Sequence, residues 1–348
     1  MTRTRVSLVT LGDPKKQTGG YLYHLRLAEA APRHGAEMSF VSFPERMFPA
    51  PVLWGREAIA RAADADVIVI DSIAAAFSAP WLGGVEPAVV GMLHQGPGGI
   101  DHGWMRARLQ ASLDRWAYAR MEVLFVASES LAEEMHGCHR DIRVVAPGRD
   151  PAPTADPEVE DLRRGRRVAF LCVGNWVVRK GIVDLLDAFA ALPERAGTLH
   201  LVGDRTVDRR YAAEVGRRLG RLGDRVMVHG VVSRERIAAL YRDADVFVMP
   251  SVREPYGTAY GEAMAAGLPV VGWRAGNLPY LARHEREGLV LDPGDGRALA
   301  AALLRLSEDD SLRESMGAAA RARAATFPTW EETAASFYGQ VTALAFER

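Results

Sequence analysis

Glu254-Pro-Tyr-Gly-Thr-Ala-Tyr-Gly-Glu262-Ala-Met-Ala-Ala-Gly-Leu-Pro-Val270 sets two carboxylates eight positions apart, the first in a loop and the second in a helix. The loop follows an apolar run at 246–249 that breaks at Pro250. Gly257 opens the predicted helix, which runs to about Ala266, and Gly267 and Pro269 end it. A strand-loop-helix turn aims free backbone N–H groups and a partial positive charge at whatever occupies the crevice. Glu262 lies about a turn and a half into a helix made mostly of Ala, Gly and Met. A charge on so apolar an element needs a partner, and ligand hydroxyls can supply one. Either Glu alone could equally favour a helix start or face water. The seventeen-residue pattern is what points to a site.

The segment resembles the signature of family-4 retaining glycosyltransferases of the GT-B fold, in which two Glu residues flank seven others and a Gly-Leu-Pro-Val turn follows. The resemblance is dense from about residue 167 to 295 and looser before that. It implies an α/β protein with two Rossmann-like, doubly wound parallel-sheet domains facing a central cleft, and a C-terminal helix crossing back to the first domain. The implied donor is a nucleoside-diphosphate sugar, UDP-linked as first expectation, held mainly by the C-terminal domain. The implied acceptor is a hydroxyl of a small molecule, lipid or glycan, held mainly by the N-terminal domain. Transfer would retain the anomeric configuration, with no metal, cofactor or protein base, the leaving phosphate itself taking the acceptor's proton.

The resemblance assigns roles residue by residue. Glu254 would bind hydroxyls of the donor sugar, the backbone around Tyr256, Gly257 and Thr258 would meet sugar and diphosphate, and Glu262 would take the two ribose hydroxyls. A departing diphosphate gains negative charge, so cations and helix N-termini placed there act most strongly in the transition state. A hydrolase pair, whose carboxylates both flank the scissile bond, is a poorer reading. Lysine occurs only at Lys15, Lys16 and Lys180, every other basic residue being Arg. Lys180 lies in Gly174-Asn-Trp-Val-Val-Arg-Lys-Gly181, where the family binds diphosphate, and an ammonium is not interchangeable with a guanidinium there. The family's Arg after the first Gly is replaced by Asn175. Either Arg179 supplies that charge, or Lys180 and backbone amides carry the diphosphate. Val231, in Val228-His-Gly-Val-Val-Ser233, matches the loop that holds the nucleobase, although the usual second Gly after Gly203 is absent. His94, beyond an apolar run at 88–92, matches a histidine near the transferred sugar and acceptor, and His102 has a weaker claim. Gly19 and Gly20 read either as a plain turn or as a loop closing on the diphosphate.

The rest of the chain sets the frame. Its 348 residues suggest two domains, and 48% hydrophobic with 25% charged residues is ordinary for a soluble protein. A net charge of -1 argues against nucleic acid as a partner. Two cysteines make no disulfide framework, and no run has the length of a signal peptide or membrane span, so a cytoplasmic location is expected. Apolar runs alternate with amphipathic stretches, the pattern of parallel sheets. The turn-rich segment 147–157 reads as a linker, giving domains 1–150 with 329–348, and 151–328. Asp64-Ala-Asp66 and Asp243-Ala-Asp245 precede their strands, the wrong end for a ligand, so a polar turn is expected rather than a metal site.

Two apolar features stay open. The stretch 102–121 mixes Trp, Leu and Met with four Arg, and reads either as a membrane- or lipid-touching helix or as a core-facing helix with a solvated Arg face. The loop Met47-Phe-Pro-Ala-Pro-Val-Leu-Trp54 has no core period and is a candidate for the acceptor side. Three rival functions stand beside transfer: a GT-B-fold phosphorylase or epimerase, a non-catalytic sugar-nucleotide binder, and a nicotinamide dehydrogenase, whose Gly fingerprint is missing from the first turn.

Overall fold

A computed structural model describes residues 3–14, 19–100, 103–150 and 161–346. The chain divides into two compact units, one formed by Met1–Gly148 with Pro328–Arg348 and the other by Arg149–Phe327.

The first unit holds six parallel strands in the order β2-β1-β3-β4-β5-β6: β1 (Thr4–Leu11), β2 (Ala36–Phe43), β3 (Val67–Asp71), β4 (Ala88–Leu93), β5 (Val123–Val126) and β6 (Ile142–Val144). The interleaved helices are α1 (Gly19–Ala30), α2 (Gly55–Ala62), α3 (Ala75–Ser78), α4 (Trp104–Tyr118) and α5 (Glu129–Glu134). Val67–Ile70 and Val123–Val126 are fully buried, as strands covered on both faces must be. Helix α1 stops at Ala30, because Pro32 falls in a 3-10 turn that closes at Gly35.

The last helix of the chain, α13 (Trp330–Phe346), packs in this first unit. A capping box starts it: Glu332 N donates to Thr329 Oγ1 at 3.2 Å and Thr329 N donates to Glu332 Oε2 at 2.7 Å. Phe337 is wholly buried against Phe125, with ring centroids 5.5 Å apart, and the Tyr338 hydroxyl donates to Leu27 O at 2.7 Å.

The second unit repeats the plan in the order β12-β11-β10-β7-β8-β9, again all parallel. Its strands are β7 (Val168–Val173), β8 (Gly197–Val202), β9 (Val226–Gly230), β10 (Val246–Val248), β11 (Val270–Trp273) and β12 (Gly288–Leu291). Its helices are α6 (Ile182–Ala190), α7 (Arg209–Leu219), α8 (Arg234–Asp243), α9 (Thr258–Ala266), α10 (Leu278–Leu281), α11 (Gly296–Glu308) and α12 (Asp310–Ala324). Numbered from its own first strand, this sheet runs 3-2-1-4-5-6, and its order reverses between β7 and β10. In open parallel sheets, ligands gather at such a reversal point, beyond the carboxyl ends of the strands.

The Asp-x-Asp echo has a shared structural role. Asp66 N donates to Arg5 O while Arg5 N donates back to Asp66 Oδ2 at 2.7 Å. In the second unit Asp245 N donates to Ala169 O and Ala169 N donates to Asp245 Oδ2 at 2.8 Å. Each Asp thus locks the amino end of its strand to the neighbouring first strand of the sheet.

Truncating Phe337 to Ala empties a fully buried site, and large-to-small core changes of this type cost about 3–5 kcal/mol. Urea denaturation should show the transition of the first unit moving to lower denaturant by that amount. A shift below about 1 kcal/mol would mean that α13 is not part of that core.

Candidate functional site

At the reversal point of the second sheet, the loops after β7 and β10 bring two of the expected residues into contact. Lys180 Nζ lies 2.5 Å from Glu254 Oε2, and both side chains are largely buried. Arg179, whose Nη1 donates to Arg253 O at 3.1 Å, stands 3.6 Å from the same carboxylate oxygen. The carboxylate therefore faces two cations, and 74 residues of sequence separate it from Lys180.

Backbone contacts fix this juxtaposition. Ser251 Oγ donates to Arg179 O at 2.9 Å, and Val252 N donates to the same carbonyl. Gly181 sits at φ 67°, and a Cβ there would fall 2.0 Å from Pro250 O. A side chain at 181 would be strained and would also push the two loops apart. Glu254 is held from the other side by residues 276–277. Asn277 N donates to Glu254 O, Asn277 Nδ2 donates to Tyr256 O at 2.8 Å, and a Cβ on Gly276 would lie 2.5 Å from Glu254 O. Asn277, Gly276 and Ser251 were not singled out from the sequence, because their links to the site run through backbone atoms.

Helix α9 starts beside the pair. Its N-terminus has no side-chain cap and no acid in the first turn, so the positive end of its dipole is uncompensated by the helix itself. Gly257 is the N-cap, Tyr256 precedes it half-buried, and Thr258 begins the helix exposed. Burial pushes the Tyr256 phenol up to about 12, so it stays a hydroxyl. Glu262 reaches the surface further along α9, where the Tyr241 hydroxyl lies 3.0 Å from its Oε2. Surrounding protein crowds one side of this exposed residue, and that burial raises its carboxyl above the usual range against the pull of the Tyr241 bond.

The altered loop after β7 is ordered by its own side chain. Asn175 Oδ1 accepts from Asp204 N at 3.1 Å, joining the two positions where the family pattern is broken. Val231 stands 76% exposed beyond β9, two strands from β7 along the same sheet edge, while Arg179, Lys180 and Glu254 form the compact cluster.

The remaining expected residues belong to the first unit. His94 follows β4 half-buried, and Gly20, in the first turn of α1, lies against it, a Cβ there falling 3.4 Å from His94 Cδ2. Gly19 is exposed at the start of the same helix, whereas the loop's 15–18 and His102 lie outside the described residues. His94 Nε2 and His24 Nε2 are 2.9 Å apart, so one ring donates and the other accepts. Behind them His24 Nδ1 is 3.7 Å from Asp71 Oδ2, which accepts from Thr10 Oγ1 at 2.8 Å. Burial pushes both His24 and His94 down to about 3, and His94 is lowered further by its imidazole neighbour. Both rings are therefore neutral near pH 7. Burial likewise raises Asp71. This chain of polar groups escaped the sequence reading, since nothing local connects positions 10, 24, 71 and 94.

Among the described residues no group of three or more His, Cys, Asp or Glu side chains is placed to hold a metal ion, and no helix is long and apolar enough to cross a membrane.

The fold is the GT-B fold of glycosyltransferases, and residues 167–309, which carry the Lys180–Glu254 site, match the family model described as "Glycosyl transferases group 1". Similar proteins include the D-inositol 3-phosphate glycosyltransferase of Xylanimonas cellulosilytica, 32% identical over 244 residues, or 64% of this chain and 58% of that one. An uncharacterised glycosyltransferase of Methanocaldococcus jannaschii is 34% identical over 145 residues, 42% of this chain and 37% of its own length. The chain thus spans 58% and 37% of the length of these two relatives. Among solved structures, a sucrose-phosphate synthase from Thermosynechococcus elongatus superposes with a TM-score of 0.86 at 23% identity, covering 99% of this chain and 100% of that one. Anabaena HepE, in complex with UDP and glucose, superposes at 0.78 with 19% identity, over 97% and 99% of the two chains.

The buried imidazoles carry a pH signature. Between about pH 6.5, where unfolded His titrates, and about 3, the unfolded chain binds more protons than the folded one. Stability should therefore fall as pH drops through that window. Asp71 acts with the opposite sign, one carboxyl against two imidazoles. Replacing His24→Gln should flatten the slope of unfolding free energy against pH by about one proton, ~1.4 kcal/mol per pH unit, in denaturant titrations between about pH 4 and 6. An unchanged slope would contradict a neutral, buried His24.

Proposed function

We propose that this chain transfers a glycosyl unit from a nucleoside-diphosphate sugar to an acceptor hydroxyl with retention of configuration, UDP-sugars being the first donors to test. The observation that carries the reading is the Lys180–Glu254 ion pair at the reversal point of the second sheet, beside the uncapped N-terminus of α9. Support also comes from the group 1 family match over residues 167–309. HepE, which shares the fold, was solved with UDP and with UDP-glucose.

Without donor, Lys180 and Glu254 neutralise one another at 2.5 Å. An incoming diphosphate offers Lys180 a stronger, doubly anionic partner. Glu254 is then released to accept hydroxyls of the sugar, and Arg179 can follow the phosphates in place of the Arg missing at Asn175. The amides at Gly257 and Thr258, at the positive end of α9, face the same charge. Glu262, kept beside the Tyr241 hydroxyl, has an oxygen available to the ribose. As the bond from the anomeric carbon to the phosphate oxygen breaks, these groups stabilise the charge that develops, while the acceptor oxygen bonds to the same face. The acceptor's proton passes to the departing phosphate oxygen. In the first unit, His94 is assigned to the sugar and acceptor as a neutral hydrogen-bonding group, and Gly19 and Gly20 to the diphosphate. The acceptor is a small molecule, lipid or glycan bearing a hydroxyl.

A thermal-shift screen over nucleotides and sugar nucleotides, followed by transfer assays with an acceptor panel, tests the reading. Release of nucleoside diphosphate together with a glycosylated acceptor is expected. Glu262→Ala should weaken nucleotide binding by about 1.5–3 kcal/mol, the scale of a hydrogen bond to a charged group. Lys180→Ala should weaken diphosphates while leaving a bare nucleoside unaffected. Glu254→Gln should lower turnover by about a hundredfold. Donor binding without transfer would favour the non-catalytic reading, phosphate-dependent cleavage a phosphorylase, and an altered sugar on the nucleotide an epimerase.

A further inference from the structure

Helix α4 carries apolar side chains on its outward face as well as its buried one. Its buried face carries Gln110 and Asp114, along with Ala111, Ala117 and Tyr118. Asp114 Oδ2 accepts from Gly98 N at 2.8 Å, so this buried face is tied to the loop after β4. The outward face carries Met105 at 68% exposure, Leu109 at 54% and Trp116 at 39%, with Trp104 at 70% beside them. At about 100° per residue, positions 105, 109 and 116 fall within about 40° of each other around the axis. The reading of this stretch as a core-facing helix with a solvated Arg face holds for Ala117 and Tyr118, which are buried in the core, and for the exposed Arg side chains, but Trp104, Met105, Leu109 and Trp116 face outward.

Arginines border the stripe on both sides. Arg108 and Arg115 project to one flank and Arg106 to the other, while Arg120, just past the helix, holds its guanidinium 4.6 Å from the centre of the Trp116 ring, all four being exposed. Asp114 is the one acid between residues 103 and 120, and it is buried. The patch extends past the helix, since the Arg106 guanidinium lies 5.4 Å from the centre of the Phe48 ring. That contact places the loop bearing Met47 (88% exposed) and Leu53 (76%) at the same end of the helix. Charges in that loop and in the first turn of α2 balance, Glu45 with Arg46 and Arg56 with Glu57, so the excess positive charge comes from α4. Single exposed apolar side chains are ordinary, but a contiguous set marks an interaction surface.

We propose that the outward face of α4, with the loop after β2, docks on an anionic lipid bilayer. The chemistry fits that occupant. Long apolar side chains enter the boundary of the acyl region, Trp104 and Trp116 take the interface, and flanking guanidinium groups meet lipid phosphates. The surface belongs to the first unit and stands independently of the transfer reaction proposed above.

The test mixes the full chain with vesicles of phosphatidylcholine containing about one-third phosphatidylglycerol, and with pure phosphatidylcholine vesicles. Binding is read by co-sedimentation and by the tryptophan emission maximum. Preferential binding to the anionic vesicles is expected, with a blue shift as the indoles leave water and weakening as salt is raised. The pair Met105→Glu with Leu109→Glu should lose about tenfold or more in partitioning, and so should Arg108→Glu with Arg115→Glu. Circular dichroism should be unchanged in both, because all four side chains are exposed. Failure of the parent chain to bind anionic vesicles, or binding that neither pair weakens, would overturn the proposal. So would a dimer in sedimentation equilibrium that the Met105→Glu, Leu109→Glu pair dissolves and that does not bind vesicles.

Discussion

The ion pair between Lys180 and Glu254 organises the second unit's functional edge, and it exists because a parallel sheet reverses its winding between β7 and β10. A doubly wound sheet leads the chain after its two central strands to opposite faces, and at their carboxyl ends the two loops lie side by side, Val252 N donating to Arg179 O. Lys180 leaves from one strand and Glu254 from the other. Exposed ion pairs contribute little, but here both partners are mostly shielded, so each would be costly to leave alone. A pair of this kind is poised for exchange. An anion that takes the ammonium must also leave the carboxylate a new set of donors, and a phosphorylated sugar brings both in one molecule.

Very little of the positioning is done by the charged groups themselves. Ser251 and Val252 grip the Arg179 carbonyl, Asn277 grips the backbone of Glu254 and Tyr256, and Gly181 and Gly276 allow approaches that no Cβ would permit. The first unit uses a different device. There Thr10, Asp71, His24 and His94 form a line of polar groups with two neutral imidazoles at its end. Burial keeps those rings uncharged, so His94 offers hydrogen bonding rather than positive charge.

The sheet pattern was legible because a strand covered on both faces is a continuous apolar run, and 67–70, 123–126, 168–173 and 246–248 are such runs. Glu254 and Glu262 were legible for the same kind of reason, as charges on a short apolar segment punctuated by Gly and Pro. Lys180 stood out through the chain's near-exclusive use of Arg. The supporting contacts were hidden, since hydrogen bonds to backbone atoms leave no trace in residue type and pairs such as 24 with 94 are far apart in sequence. The outward apolar side chains of α4 were not legible, for a clearer reason. Apolar periodicity shows that a helix has two faces, and it does not show which one the fold covers.

A crystal structure with a bound sugar nucleotide addresses the central claim most directly. The diphosphate should lie within hydrogen-bond distance of Lys180 Nζ, with the Lys180–Glu254 separation lengthened from 2.5 Å and the carboxylate turned to the sugar. Ligand density elsewhere, with that ion pair still closed, would contradict it.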